Sequence, residues 1–221
     1  MAAGDAIDTG AAFRPHVLRE YALLADGERG ALIGPHGEIT WMCAPRWDSD
    51  AVFSALIGGG GVYAVTPADE RHVWGGYYEP GSLIWHSRWI TSDGVIECRE
   101  ALAFPGDPGR VVLLRRIIAA QGPARVRVLL DPRPGFGRHG SYDLTQHDGV
   151  WAGRAGPLRW RWAGGGDAKS HQAAHGRGEV LAMELTIPEG DHHDLVLELA
   201  EKDLSGDMIN PGREWTATEA A

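Results

Sequence analysis

Apolar residues in this chain fall in short runs separated by glycine and proline, and in several runs they alternate with polar ones. Residues 124–131, ARVRVLLD, set Arg125 and Arg127 on one side of an extended backbone and Val126 and Val128 on the other. Residues 157–163, PLRWRWA, alternate in the same way and place Trp160 and Trp162 opposite Arg159 and Arg161. Residues 31–43, ALIGPHGEITWMC, read as strand, turn and strand, with Gly37 able to take the positive φ that a tight turn demands. Residues 82–104 read as two strands joined at Ser92-Asp93-Gly94, a strong hairpin signal. The runs 110–119, RVVLLRRIIA, and 124–131 flank a further turn at Gln121-Gly122-Pro123. With 179–187 and 193–200, the pattern gives about ten strand candidates.

Helical periodicity is sparse. Residues 50–57, DAVFSALI, predict two helical turns, with Ser49 or Asp50 as N-cap and the glycines from Gly58 as the stop. Residues 16–24, HVLREYALL, read as helix, or as a strand entered from Tyr21. Residues 164–178, GGGDAKSHQAAHGRG, read as an exposed loop. The predicted class is all-β: an antiparallel two-sheet sandwich, supersandwich-like, with one or two short helices. Residues 1–19 read as an N-terminal extension, 20–205 as the β domain and 206–221 as the start of a linker.

Composition narrows the function classes. Hydrophobic residues make up 43% of the 221, enough for a substantial core. Net charge is −9 and the arginines are dispersed, so nucleic acid is not an expected partner. No run has the apolar length to cross a bilayer. The opening residues MAAGDAIDTGAAF lack a signal-peptide pattern, and Cys43 and Cys98 have no CxxC spacing. A cytoplasmic protein with free thiols is the simplest expectation. Nine tryptophans suit sheet interiors, domain contacts or sugar-binding surfaces alike.

The segment WMCAPRWDSDAVF (residues 41–53) carries the densest candidate chemistry. Arg46, Trp47 and Asp48 follow Pro45 on one loop, where a sugar ring can stack on the indole and its hydroxyls bond to the charged groups. The plainer reading is an Arg46–Asp48 ion pair that holds the loop, with Asp48 or Ser49 as a cap. His171 and His175, four apart in a glycine-rich setting, and His192 and His193, on opposite faces of a strand, do not make a metal site. Neither a metal nor a cofactor is expected. Glycoside hydrolysis needs two carboxylates across the scissile bond, and the spacing of Glu97, Glu100, Asp131 and Asp143 does not identify such a pair. Strand-borne carboxylates of this kind are expected to face water. No G-x-S-x-G elbow or phosphate loop is present, and no catalytic residue is assigned.

Residues 20–58, EYALLADGERGALIGPHGEITWMCAPRWDSDAVFSALIG, resemble the N-terminal domain of bacterial trehalase-like and glucoamylase-like proteins of glycoside hydrolase family 15. Leu23, Leu24, Asp26, Ala31, Leu32, Gly37, Ile39, Trp41, Cys43, Pro45, Arg46, Asp48, Ser49, Val52 and Phe53 stand in register with that pattern. Tyr63 to Pro67, Tyr78-Glu79-Pro80-Gly81 and DPRPGFGR (131–138) resemble later segments of it. The chain departs at Thr40, Trp47, Asp50, Glu100 and Phe136, where the family pattern has Asp, Phe, Pro, Asp and Tyr.

The resemblance implies a β-sandwich that precedes an α/α-barrel, with the two glutamates for inverting α-glucoside hydrolysis both in the barrel. The chain stops at GREWTATEAA, where the barrel would begin. The expected partner is therefore a catalytic barrel of the same polypeptide. Trp41, Arg46, Trp47 and Asp48 are the candidates for its substrate entrance or for the domain interface. An α-glucosidic carbohydrate is the second expected partner, and self-association through an uncovered interface the third. A competing reading makes the chain an independent carbohydrate-binding module that uses Trp74, Trp85, Trp89, Trp160 and Trp162.

Overall fold

The structure is a computed structural model that describes residues 6–8, 13–174 and 176–221. In chain order the first strands are β1 (Ala22–Ala25), β2 (Gly30–Ile33), β3 (Glu38–Cys43), β4 (Ala51–Phe53) and β5 (Val62–Pro67). There follow β6 (Val73–Tyr78), β7 (Trp85–Ile90), β8 (Val95–Leu102), β9 (Arg110–Gln121) and β10 (Ala124–Asp131). The last are β11 (Ser141–His147), β12 (Val150–Ala155), β13 (Leu158–Ala163), β14 (Lys169–Gln172), β15 (Glu179–Ile187) and β16 (His192–Ala200). Helix α1 (Pro211–Ala220) closes the chain.

All the named strands pair antiparallel in one ladder of order β1-β2-β3-β5-β10-β15-β11-β12-β13-β16-β9-β8-β7-β6, with β4 on β3 and β14 on β15. The expected all-β class and antiparallel pairing are thus observed. The two layers are one sheet curled back on itself. Its faces meet through indole hydrogen bonds: Trp162 Nε1 on β13 donates to Tyr63 Oη on β5 at 3.0 Å, and Trp89 Nε1 on β7 donates to Pro35 O at 3.0 Å. The ends of the ladder also meet, where the Tyr78 hydroxyl of β6 accepts from Leu23 N at 2.7 Å and donates to Leu23 O at 3.1 Å. That hydroxyl satisfies both outward backbone groups of one residue on the β1 edge, which would otherwise be open to another strand.

Alternation read the faces correctly. Leu158, Trp160 and Trp162 are buried while Arg159 and Arg161 reach the surface, and Val126 and Val128 are buried between exposed Arg125 and Arg127. Consecutive β9 and β10 do not pair, however. β9 lies between β8 and β16, and β10 between β5 and β15, so Gly122 at φ 65° turns a corner between layers. β9 is apolar on both sides because both are covered: Leu113 and Ile117 enter the main core, and Leu114 lies under α1 with Ile84, Ala101, Val196 and Trp215.

Four expectations need correction. Residues 50–57 are not a helix: β-branched Val52 and aromatic Phe53 enter β4, pairing with β3, and Ala55–Ile57 make only a 3-10 turn ended by left-handed Gly58. In 16–24, Leu18–Glu20 make a 3-10 turn before β1, so the strand alternative from Tyr21 holds for the second half. Within 164–178, β14 adds a short polar strand to β15, and His175 lies outside the described residues.

The fourth concerns carboxylates. Glu100 and Asp131 do not face water but are fully buried in ion pairs, with Arg115 and Arg133 respectively. Glu100 also accepts from Ser87 Oγ at 2.8 Å, and Arg115 donates to Tyr63 O at 3.1 Å and Gly37 O at 2.5 Å while its guanidinium lies 4.7 Å from the Tyr63 ring. Burial of charge is tolerated here because pairing and hydrogen bonds replace water.

Residues 211–220, in the segment read as a linker, form α1 because Asn210 caps it by accepting from Arg213 N at 3.0 Å and Pro211 opens it. Trp215 is buried, with the Arg99 guanidinium 4.4 Å and the Arg116 guanidinium 5.8 Å from its ring, and Arg99 Nη1 donates to Glu219 at 2.6 Å.

Candidate functional site

Two loops meet at one end of the sandwich. The first leaves β3 through the cis Ala44-Pro45 bond, carries residues 46–50, and continues past β4 into the glycine-rich stretch 58–61. The second, residues 132–140, leaves β10. They are about 80 positions apart and are joined by backbone hydrogen bonds: Arg133 N to Val52 O at 3.0 Å and Phe136 N to Ala51 O at 3.1 Å. The contact is close because both loops present glycine there; a Cβ on Gly137 would come within 2.3 Å of Gly60 N. Arg133 Nε donates to both Asp131 oxygens at 2.8 Å, which ties the second loop to the end of its strand.

The four candidate residues take different positions. Arg46 and Asp48 pair, Nε to Oδ1 at 3.1 Å, and both stay largely in solvent, at 59% and 75% side-chain exposure. That is the loop-holding pair of the plainer reading. The hydrogen bond from Arg46, and then its charge, hold Asp48 below the usual carboxylate range. Asp48 caps no helix; Ser49 Oγ accepts from Arg46 N at 3.2 Å and Ser49 N donates to Arg46 O at 3.1 Å, closing the turn. Trp47 is exposed at 55% and turns toward β1 and β2, where its ring lies over Gly30; a Cβ there would be 2.5 Å from Cη2. Trp41 is half-buried, its ring 6.3 Å from that of Phe136.

Sequence reasoning named neither Phe136, Asp50 nor Arg138 as site residues. Phe136 is 42% exposed, and Arg138 Nη2 lies 3.8 Å from Asp50 Oδ2, both side chains open to solvent. The Gly-Phe-Gly triplet inside DPRPGFGR was the available signal, since flanking glycines mark a left-handed turn. Burial raises the pKa of Cys43, with a smaller contribution from the Asp50 charge, and keeps this thiol protonated behind the loop.

The tryptophans proposed for sugar binding sit elsewhere. Trp85, Trp89, Trp160 and Trp162 are buried, and Trp74 is half-buried against the same core. This overturns a surface role for the four buried ones: their rings are large apolar bodies that the two facing layers need as filling. His193 Nε2 contacts Gly164 O at 2.7 Å. Among the described residues, no group of three or more His, Cys, Asp or Glu is arranged to hold a metal ion, and no helix is long and apolar enough to cross a membrane.

Residues 11–174 match the family model described as trehalase-like, N-terminal, which is well over half of the chain. The chain belongs to the trehalase-like N-terminal domain family. This trehalase-like domain is 37% identical over 91 residues to a trehalase of Mycobacterium tuberculosis (strain ATCC 25618 / H37Rv), covering 38% of the chain and 13% of that trehalase. It is 38% identical over 92 residues to a trehalase of Mycolicibacterium smegmatis (strain ATCC 700084 / mc(2)155), again covering 38% and 13%. The matched segment is thus a small part of either relative. Among solved structures, a putative kojibiose phosphorylase from human microbiome aligns with TM-score 0.40 and 7% identity, over 90% of this chain and 32% of that one.

Proposed function

We propose that this trehalase-like N-terminal domain is a non-catalytic β-sandwich that packs on a catalytic α/α barrel hydrolysing an α-glucoside, of the glycoside hydrolase family 15 type. In this reading residues 20–205 form the accessory unit and 206–221 lead toward the barrel. The observation that carries it is the convergence of two family-like segments, 41–53 and 131–138, on one surface. That surface leaves Trp47 and Phe136 exposed beside the pairs Arg46–Asp48 and Asp50–Arg138. Exposed aromatic rings with charged neighbours are the composition expected of a contact surface rather than of idle loops.

The same reading explains why no acid–base pair is assigned within the chain. Glu100 and Asp131 are committed to buried arginines. Two unpaired, buried thiols support a reducing, cytoplasmic setting.

The test is a chimera in which this chain replaces the corresponding N-terminal region of the Mycolicibacterium smegmatis trehalase. Trehalose hydrolysis should persist in the chimera, and Arg46→Ala and Asp48→Ala should each lower its turnover about 3- to 10-fold, the worth of one charged contact. Normal turnover in both variants, with unchanged folding, removes the loop from the entrance.

A further inference from the structure

A strand at a sheet edge offers unpaired N–H and C=O groups to any other chain, and this fold closes or interrupts several of its edges. On β1 the Tyr78 hydroxyl takes both outward groups of Leu23. β4 is covered by the second loop, through Arg133 N to Val52 O and Phe136 N to Ala51 O. β14 is covered by Ile7, whose N donates to Gln172 O at 3.0 Å and whose O accepts from Ala174 N at 2.9 Å. β11 meets β15 only at Ser141; beyond it the strand is broken by a register shift between Tyr142 and Thr145 and carries Asp143 there. Covers, bulges and charges of this kind keep a second chain away.

β6 has none of these devices. It ends the ladder, pairs with β7 in unbroken register over its six residues, and contains neither a charged residue nor a proline. Among the described residues, no backbone group of Val73–Tyr78 makes a hydrogen bond beyond that ladder. Trp74 packs on the core and Gly76 faces the Trp85 ring, so Val73, Gly75 and Tyr77 point outward. Val73 is 66% and Tyr77 45% exposed. The two glycines differ. A Cβ on Gly76 would stand 2.1 Å from the Trp85 ring, so packing inside the sandwich requires that glycine. A Cβ on Gly75 would meet no atom within 4 Å, and nothing inside the domain requires it. Glycine within a strand that has no bulge marks a place where another backbone comes close.

The residues around Gly75 complement a copy of themselves. An antiparallel second copy on a two-fold axis at Gly75 pairs each residue with the one equally far on the other side of that glycine, and it keeps the inner and outer faces continuous. On the outer face Gly75 then meets Gly75, Val73 meets Tyr77, and Arg71 meets Glu79. On the inner face the Trp74 ring meets Gly76. A β-branched residue against an aromatic, and opposite charges against each other, are favourable cross-strand pairs. Arg71 is exposed, and Glu79, although it holds Arg99 and His86, keeps 28% of its side chain in solvent. An axis at Gly76 would instead set Val73 against Glu79 and Arg71 against Gly81, and both favourable pairs would be lost. We propose that β6 is a self-association edge: two copies of this chain join antiparallel through Val73–Tyr78 about a two-fold axis at Gly75, extending the sheet across both. A single strand pair is small beside the interface of a permanent dimer, so the association depends on concentration. It uses none of the residues of the two loops and stands apart from the accessory-domain reading.

The experiment is sedimentation velocity of the full chain over a concentration series, on wild type, Gly75→Lys and Arg71→Glu, with Gly75→Cys and Val73→Cys to read the register. Wild type should pass from monomer to dimer as concentration rises. G75K should weaken the dimer at least about tenfold, because like charges meet on the axis, and R71E at least about threefold. The thermal midpoint of monomeric G75K should stay at or above that of wild type, since its side chain meets no atom and glycine is the weaker strand residue. Under mild oxidation G75C should give a disulfide-linked dimer and V73C should not, because position 73 faces position 77 and the native Cys43 and Cys98 are buried. Wild type that stays monomeric at every concentration overturns the proposal. A dimer of unchanged affinity in G75K overturns it by moving the contact to another surface, and equal cross-linking of G75C and V73C overturns the axis. Monomeric wild type whose β6 amides gain protection only in the trehalase chimera gives the edge to the barrel and overturns the second copy as its occupant.

Discussion

Glu38 offers the sharpest test of how charge is stored in this fold. It lies at the start of β3, fully buried, with Oε2 accepting from His36 N at 2.9 Å. Oε1 has no hydrogen-bond partner and lies 3.8 Å from His16 Nε2. Burial raises its pKa to about 7; the backbone N–H groups of Glu38 and His36 and the Arg115 charge oppose the rise, and Glu100 adds to it. The native state therefore holds a proton on Glu38 more tightly than the unfolded chain, whose value is 4.5.

The sign follows from linkage. This contribution to stability is fully present below about pH 4.5 and is lost as pH rises through about 7. The interval between 4.5 and about 7, at about 1.4 kcal/mol per pH unit, amounts to about 3 kcal/mol. Glu38→Gln removes the titration and keeps an acceptor for His36 N. Urea unfolding at a series of pH values should show E38Q close to wild type at pH 5 and about 2 to 3 kcal/mol more stable at pH 8.5, with an unchanged denaturant slope. An E38Q variant less stable than wild type at pH 8.5 would refute the reasoning: it would mean that the ionised carboxylate is well paired by His16 and Arg115.

Glu100→Gln leaves the Arg115 charge buried without its partner and should cost about 3 to 5 kcal/mol in urea unfolding, whereas Glu100→Leu combined with Arg115→Met should cost less than the single change. Trp215→Ala removes the ring between α1 and the outer faces of β8, β9 and β16. It should lower stability by about 3 kcal/mol and raise hydrogen exchange in residues 211–220 far more than in β10 or β13.

Much of the architecture was legible because alternation fixes which side chains share a face, and the faces of β10 and β13 could be read from Arg and Trp spacing alone. Which strands pair was not legible from that signal. The turn at 121–123 resembles a hairpin turn, yet it carries the chain between layers, because partners are set by the closing of the whole sheet. The three residues of β4 are too short to display a period, and polar β14 forms only because β15 offers an edge. Buried charge was hidden for a similar reason: Glu100 and Arg115 sit on neighbouring strands with polar residues at the same spacing as exposed ones, and only the opposite layer makes their side the inside.

The candidate site divides in the same way. Arg46, Trp47 and Asp48 are local and were readable from the 41–53 segment. Phe136, Asp50 and Arg138 become neighbours only when the second loop docks on β4. The tryptophan count left interior and surface roles open, and only the closing of the sheet shows that Trp85, Trp89, Trp160 and Trp162 fill the space between the layers.

The central claim, that the surface formed by these two loops packs on a catalytic barrel, is tested most directly by hydrogen–deuterium exchange of residues 44–61 and 131–140 in the isolated chain and in the trehalase chimera. The account predicts slower exchange of both loops in the chimera, with β12 and β13 unchanged. Equal exchange of the two loops in both settings, in an active chimera, would contradict it.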